Sequence, residues 1–178
     1  MAILPLDKLI PVAKLEAYLM DPTPYAWGPL LAPFSPPLPK EGQVILASFF
    51  GDVFVEDLDG GVWWVNGLEG RVDRAGINRD QFLERMAREH LLMLKTKLLE
   101  AMVVNDRLLP AGMLYGLKTP RSEGGKYHPD NVGTAPVVAS LIYLGEQFRI
   151  RNAPTAPPAP KPTLAETRPK QTFWGKKK

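Results

Sequence analysis

The chain of 178 residues has no cysteine and only two histidines. Without cysteine there is no disulfide framework, no zinc ribbon and no thiol nucleophile, and the composition fits a reducing compartment. No run of about 18 apolar residues occurs, so no membrane-crossing helix is expected. The first residues, Met1-Ala-Ile-Leu-Pro-Leu-Asp-Lys8, set proline and charge where a secretory signal needs an unbroken apolar stretch. These absences lead to the expectation of a cytoplasmic protein that makes no contact with membranes. Phosphate-loop spacing is missing as well. Gly60-Gly61 and Gly124-Gly125 fit neither GxGxxG nor a GxxxxGK turn between strand and helix. No serine stands beside a histidine and an acid in the manner of an acyl-transfer site.

Charge of one sign is scarce where a nucleic-acid reader would need it. The chain carries a formal +3. Residues 153–178 hold six basic side chains against the single acid Glu166, a net +5, which leaves residues 1–152 at −2. A mildly acidic body is a poor phosphate binder and a plausible partner for a basic protein. Lys176, Lys177 and Lys178 offer the only expected route to nucleic acid.

Along the chain, residues 1–42 read as a Pro-rich N-terminal arm. A short helix is expected over Leu9 to Met20. The prolines from Pro22 to Pro39 forbid a long helix beyond it. Tyr25, Trp27, Leu30, Leu31 and Phe34 between them predict an arm lying extended on the body, anchored by Trp27. Residues 43–75 alternate as an antiparallel β-meander, with strands near Val44–Phe50, Asp52–Glu56, Val62–Val65 and Arg71–Asp73. From Ile77 to Leu109 there is neither glycine nor proline. Asn78 followed by Gln81 resembles a capping box, and Ile77 can staple onto Phe82. Two helices are expected, near 79–89 and 91–104, because Leu91-Leu-Met-Leu94 is apolar all round. A strand over 112–118 and a loop over 119–134 follow. Thr134 is then expected to cap a helix over 135–151, with a strand from Leu141 to Leu144 as the alternative. Residues 153–178, with six prolines, are expected to be a disordered Pro/Lys-rich tail in which Phe173 and Trp174 stand out. The fold class is thus α+β, an antiparallel meander packed against two to three helices over residues 43–152.

Chemistry-bearing residues are few. Asp52, Glu56, Asp57 and Asp59 cluster around one hairpin and read as solvated turn acids. Asp57-Leu-Asp59-Gly60 lacks the ligand series of a calcium loop, so no metal is expected. His128 and Asp130 make at most half a metal site. An enzyme assembled from His128, Asp130 and Glu123 is the weakest of the readings, since no pair of groups is visibly set to shift each other's pKa. No catalytic residue and no cofactor are assigned. Trp63 and Trp64 are neighbours on a strand, so they point to opposite faces. One enters the core; the other is covered by the arm or is an interface anchor.

The segment Leu109-Pro-Ala-Gly112…Tyr115-Gly116-Leu-Lys118…Pro120, then Gly124-Gly125-Lys-Tyr127…Asn131 and Leu144-Gly145-Glu-Gln147, carries a resemblance. So do Phe50-Gly51-Asp52-Val53-Phe54 and Gly61-Val62-Trp63-Trp64 before it. Together they resemble the C-terminal domain of type VI secretion immunity proteins, which often follows a GAD-related domain. The resemblance spans about residues 43–152. It implies a non-catalytic immunity protein whose partner is a cognate secreted toxin, a DNase in the named family. The contact residues expected on this reading are Asp57, Asp59, Trp63, Trp64, Glu123, Lys126, Tyr127, His128 and Asp130. The rival reading is an accessory protein that reaches nucleic acid or an acidic assembly through its basic tail.

Overall fold

The computed structural model describes residues 18–153. Residues 9–17 of the helix expected over Leu9 to Met20, and the tail with Phe173, Trp174 and the terminal lysines, lie outside the described residues. The architecture is α+β. Strands β1 (Leu19–Met20), β2 (Gly42–Ser48), β3 (Val53–Asp57), β4 (Val62–Asn66) and β5 (Arg71–Gly76) form one antiparallel sheet in chain order. Helices α1 (Trp27–Leu31), α2 (Arg79–Met93), α3 (Thr96–Val104) and α4 (Val137–Asn152) surround it. Strands β6 (Met113–Leu117) and β7 (Val132–Pro136) make a separate two-stranded sheet. No helix among the described residues is long and apolar enough to cross a membrane.

Both faces of the large sheet are covered, so its strands alternate between two apolar clusters. Leu46, Phe54, Val62 and Trp64 meet Phe82, Met86 and Met93 of α2. Val53, Val55 and Val65 meet Leu30, Leu31, Phe34 and the α4 residues Leu141 and Phe148. A third cluster joins Phe50 and Leu68 to Leu98, Leu99 and Met102 of α3 and to Tyr115 and Val132 of the small sheet. The two tryptophans do part to opposite faces. Trp64 is buried and stacks on Phe54 at 5.9 Å. Trp63 is half-buried on the side of Leu30, Leu31 and Phe34, with the Arg74 guanidinium 5.3 Å from its ring.

Several expectations are corrected. Leu19 and Met20 are not helical but pair with Ser48 and Ala47. The Pro-rich segment is not extended: Trp27–Leu31 is a helical turn and Ala32–Phe34 a 3-10 turn, both packed on α4. Leu30, Leu31 and Phe34 are its deep anchors, while Trp27 is half-buried and donates to the Pro22 carbonyl at 2.7 Å. Asn78 does cap α2 by accepting from the Gln81 amide at 2.9 Å, a contact of about 1 kcal/mol. Ile77 does not staple onto Phe82; it stays exposed. Thr134 caps no helix. It pairs with Tyr115 in the small sheet, and α4 starts after Pro136. The Leu141–Leu144 strand is absent for the same reason: these residues lie inside α4.

The break between α2 and α3 falls at Lys95, later than the apolar run suggested. Lys95 takes a left-handed backbone, φ 52°. That conformation stops a helix and costs a non-glycine residue roughly 1–2 kcal/mol. What holds it there is the ion pair described next.

Candidate functional site

Asp52 is not a solvated turn acid. It is fully buried, and its carboxylate gathers four donor groups at the sheet's end. Ser48 Oγ donates at 2.8 Å, Trp64 Nε1 and the Gly67 amide at 3.1 Å each, and Lys95 Nζ at 2.6 and 2.7 Å to the two oxygens. Lys95 is itself only 8% exposed. A buried charge survives only when paired and hydrogen-bonded, and here each partner supplies that for the other. The consequence is a rigid floor beneath the β4–β5 turn, residues 67–70. Asn66 completes it, accepting from the Leu68 and Glu69 amides.

Above this floor stands the loop joining β6 to β7, residues 118–131. Asn131 fastens its two ends: Oδ1 accepts from the Thr119 amide at 2.9 Å, and Nδ2 donates to the Thr119 and Lys126 carbonyls at 3.0 Å. The glycine pair has a steric reason. A Cβ on Gly125 would sit 1.8 Å from the Thr119 carbonyl oxygen, so only glycine lets the chain double back there. The turn carries Tyr127 back to the large sheet, where its hydroxyl donates to Glu69 Oε1 at 2.7 Å. Burial and then the Glu69 carboxylate push the Tyr127 phenol well above its ordinary range. Arg121 closes the loop from inside, donating to the Gly125 carbonyl at 2.9 Å with its guanidinium 5.0 Å from the Tyr127 ring. Arg107 adds an outer tie to the Pro129 carbonyl at 2.7 Å.

Two hollows flank the Tyr127–Glu69 contact and share Glu69 and Arg71 as wall. One, about 330 Å³, lies over Trp64 and Lys95 and is bounded by Leu91, Leu92, Leu98 and Tyr127. The other, about 650 Å³, lies between the small sheet, α4 and residues 120–123.

The nine residues expected to make contacts do not form one surface. Asp57, Asp59 and Trp63 sit at the β3–β4 turn, at the opposite end of β4 from the Glu69 turn. Asp57 is an internal fastener: it accepts from the Gly61 and Asp59 amides and from Trp63 Nε1 at 2.7, 3.0 and 2.8 Å. Its desolvation alone would raise its pKa, but these three donors and nearby Arg74 hold the carboxyl below the usual range. Asp59 is exposed. Trp64, lodged in the core, presents no outer face. The other five share the loop. All five are exposed there, Glu123, Lys126, His128 and Asp130 with Tyr127, whose hydroxyl is nonetheless turned onto Glu69. His128 Nδ1 lies 3.4 Å from Asp130 Oδ2; Glu123 takes no part in that contact.

Sequence reasoning missed Asp52, Lys95, Glu69 and Arg151. One signal was available for the first pair. Lys95 and Lys97 interrupt the apolar run between Leu91-Leu-Met-Leu94 and Leu98-Leu99, and a cation drawn into such a run needs a buried acid, though the sequence does not say which of the two it is. Glu69 and Arg151 had no local signal, because their partners are distant in the chain. Compared with protein-family models, with curated proteins and with solved structures, the chain finds no match.

Proposed function

We propose that the protein is a non-catalytic immunity protein that binds and neutralises a cognate secreted toxin of the DNase kind. The observation that carries this is the loop 118–131. Its backbone is fastened at Thr119, Gly125 and Lys126 by the loop's own Asn131 and Arg121 side chains, and at Pro129 by Arg107. Glu123, Lys126, His128 and Asp130 meanwhile face solvent. A recognition loop ordered before binding loses little entropy on association, which suits a tight protein–protein complex. The resemblance to immunity domains runs through the same loop, Gly124-Gly125-Lys-Tyr127…Asn131. A body of net −2 over residues 1–152 favours encounter with a toxin whose DNA-binding face is basic.

The test is co-expression with the product of the neighbouring gene. The expected result is growth arrest by that product alone, rescue by this chain, and co-purification of the two. Alanine at Lys126, His128 and Asp130 together should weaken the complex while leaving the melting temperature in place. A neighbour that is harmless and does not bind overturns the reading, as does rescue that survives deletion of the loop side chains.

A further inference from the structure

We infer that the 650 Å³ hollow between the small sheet and α4 is a binding site for a small organic anion with an apolar body. This goes beyond the proposed toxin-binding role and does not depend on it.

Three arginines line this hollow. Arg71 is paired with Glu69 and Asp73, while Arg121 and Arg151 are held by neutral groups. Arg151 donates from Nε to the Gln147 carbonyl at 3.2 Å, from Nη1 to the Glu69 carbonyl at 3.1 Å and from Nη2 to the Gly70 carbonyl at 2.7 Å. It packs directly against the turn glycine Gly70, φ 56°, where a Cβ would lie 2.5 Å from Nη2. Arg121 is held by the Gly125 carbonyl and the Tyr127 ring. Among the described residues neither guanidinium has a carboxylate within ion-pairing distance, whereas Arg71, Arg79, Arg85 and Arg149 each do. Carbonyl oxygens orient a cation without cancelling its charge. A guanidinium has five N–H groups, so Arg151 keeps two unspent. Such a fork matches the oxygens of a carboxylate or phosphate.

The rest of the hollow supplies an apolar body. Leu114, Leu117, Pro120, Ala135 and Leu144 wall it, and Ser140 and Gln147 add polar groups from α4. Two acids also line it: Glu69, engaged by the Tyr127 hydroxyl and Arg71, and the exposed Glu123. The floor is open at Gly116 of β6: a Cβ there would meet no atom within 4 Å. This strand position lines the hollow and carries no side chain, although space is free for one. Few convergent polar groups in a mostly apolar concavity is the usual make-up of a small-molecule site.

The experiment uses the full chain and three probes: biphenyl-4-carboxylate, its neutral carboxamide, and inorganic phosphate. Binding is read from amide and arginine Nε–H shifts in ¹H–¹⁵N spectra. The carboxylate is expected to move Gly116, Ser140 and Arg151 Nε–H, with the carboxamide and phosphate at least about tenfold weaker, a difference of about 1.4 kcal/mol. Gly116→Leu fills the floor and should abolish binding. Arg121→Gln should weaken it by about fivefold or more and keep the neutral probe's affinity unchanged. The second variant decides the matter if the first fails to fold. Equal binding of carboxylate and carboxamide, shifts confined to another surface, or carboxylate binding unaffected by Arg121→Gln overturns the proposal. Phosphate binding as tightly as the carboxylate also overturns it, since the apolar body would then contribute nothing.

Discussion

Lys95→Met tests the polar centre of this fold most directly. The substitution keeps an unbranched apolar stem and removes the ammonium. It leaves the Asp52 carboxylate fully buried with three neutral donors, Ser48 Oγ, Trp64 Nε1 and the Gly67 amide. Breaking one side of a buried pair costs about 3–5 kcal/mol, because the surviving charge keeps its desolvation penalty and loses its counter-ion. Domains of this size are stable by on the order of 5–15 kcal/mol, so the loss is a large share of the total. The left-handed backbone at residue 95 is common to both chains and drops out of the difference.

Guanidinium chloride unfolding followed by tryptophan fluorescence gives the measurement, since Trp64 touches the pair. Asp52→Asn alone should lose a similar amount. The double variant Asp52→Asn/Lys95→Met buries no charge, and its loss should fall short of the sum by about 2 kcal/mol or more. A loss under about 1 kcal/mol for Lys95→Met, or single losses that merely add, would refute the claim that these charges hold each other in the core.

Gly125→Ala should destabilise the loop severely, because its Cβ would fall 1.8 Å from the Thr119 oxygen; hydrogen exchange over residues 119–131 should rise, and an unchanged pattern counts against the steric account. Tyr127→Phe removes the bond to Glu69 and should cost about 1 kcal/mol, with faster exchange in the same loop as its signature. Asp57 has a folded pKa below its unfolded value, so its contribution is present above the ordinary carboxylate pKa of about 3.9 and is lost as pH falls through the lower folded value. Urea midpoints taken across that acid range should fall less steeply for Asp57→Asn than for the parent, and parallel curves would contradict the assignment.

The parts of the fold that were legible are those written in local pattern. Val53-Phe54-Val55 and Val62-Trp63-Trp64-Val65 alternate between two helix-covered faces, so strand identity and the parting of the tryptophans could be read directly. Asn78 and Gln81 marked the start of α2 because a cap is a contact three residues long. Strand β7 was illegible for the opposite reason. Val132-Gly-Thr-Ala-Pro136 has weak strand propensity, and Thr134 before Pro136 imitates a helix start. Only pairing with β6, from Met113↔Pro136 to Leu117↔Val132, makes it a strand. Tertiary pairing overrode propensity there. The helix break moved to Lys95 by the same kind of override, since Asp52 determines where the ammonium must go.

The site follows the same logic at longer range. Its members meet across 43 residues for Lys95 and Asp52, 58 for Tyr127 and Glu69, and 82 for Arg151 and the Glu69 carbonyl. No window of the sequence contains both partners of any of these contacts. The glycines were visible, but their meaning was not: Gly70 admits a guanidinium, Gly125 admits a carbonyl oxygen, and Gly116 leaves space. The neighbour that explains the missing side chain is on another element for Gly70, six residues back in the same loop for Gly125, and an empty volume for Gly116. A glycine-punctuated segment therefore announces that close approach or open space is needed, and the fold alone says which. Here it says both: a loop drawn tight over the sheet at Gly125, and beside it a hollow lined by Gly116 and by two arginines, Arg121 and Arg151, that carbonyl oxygens hold.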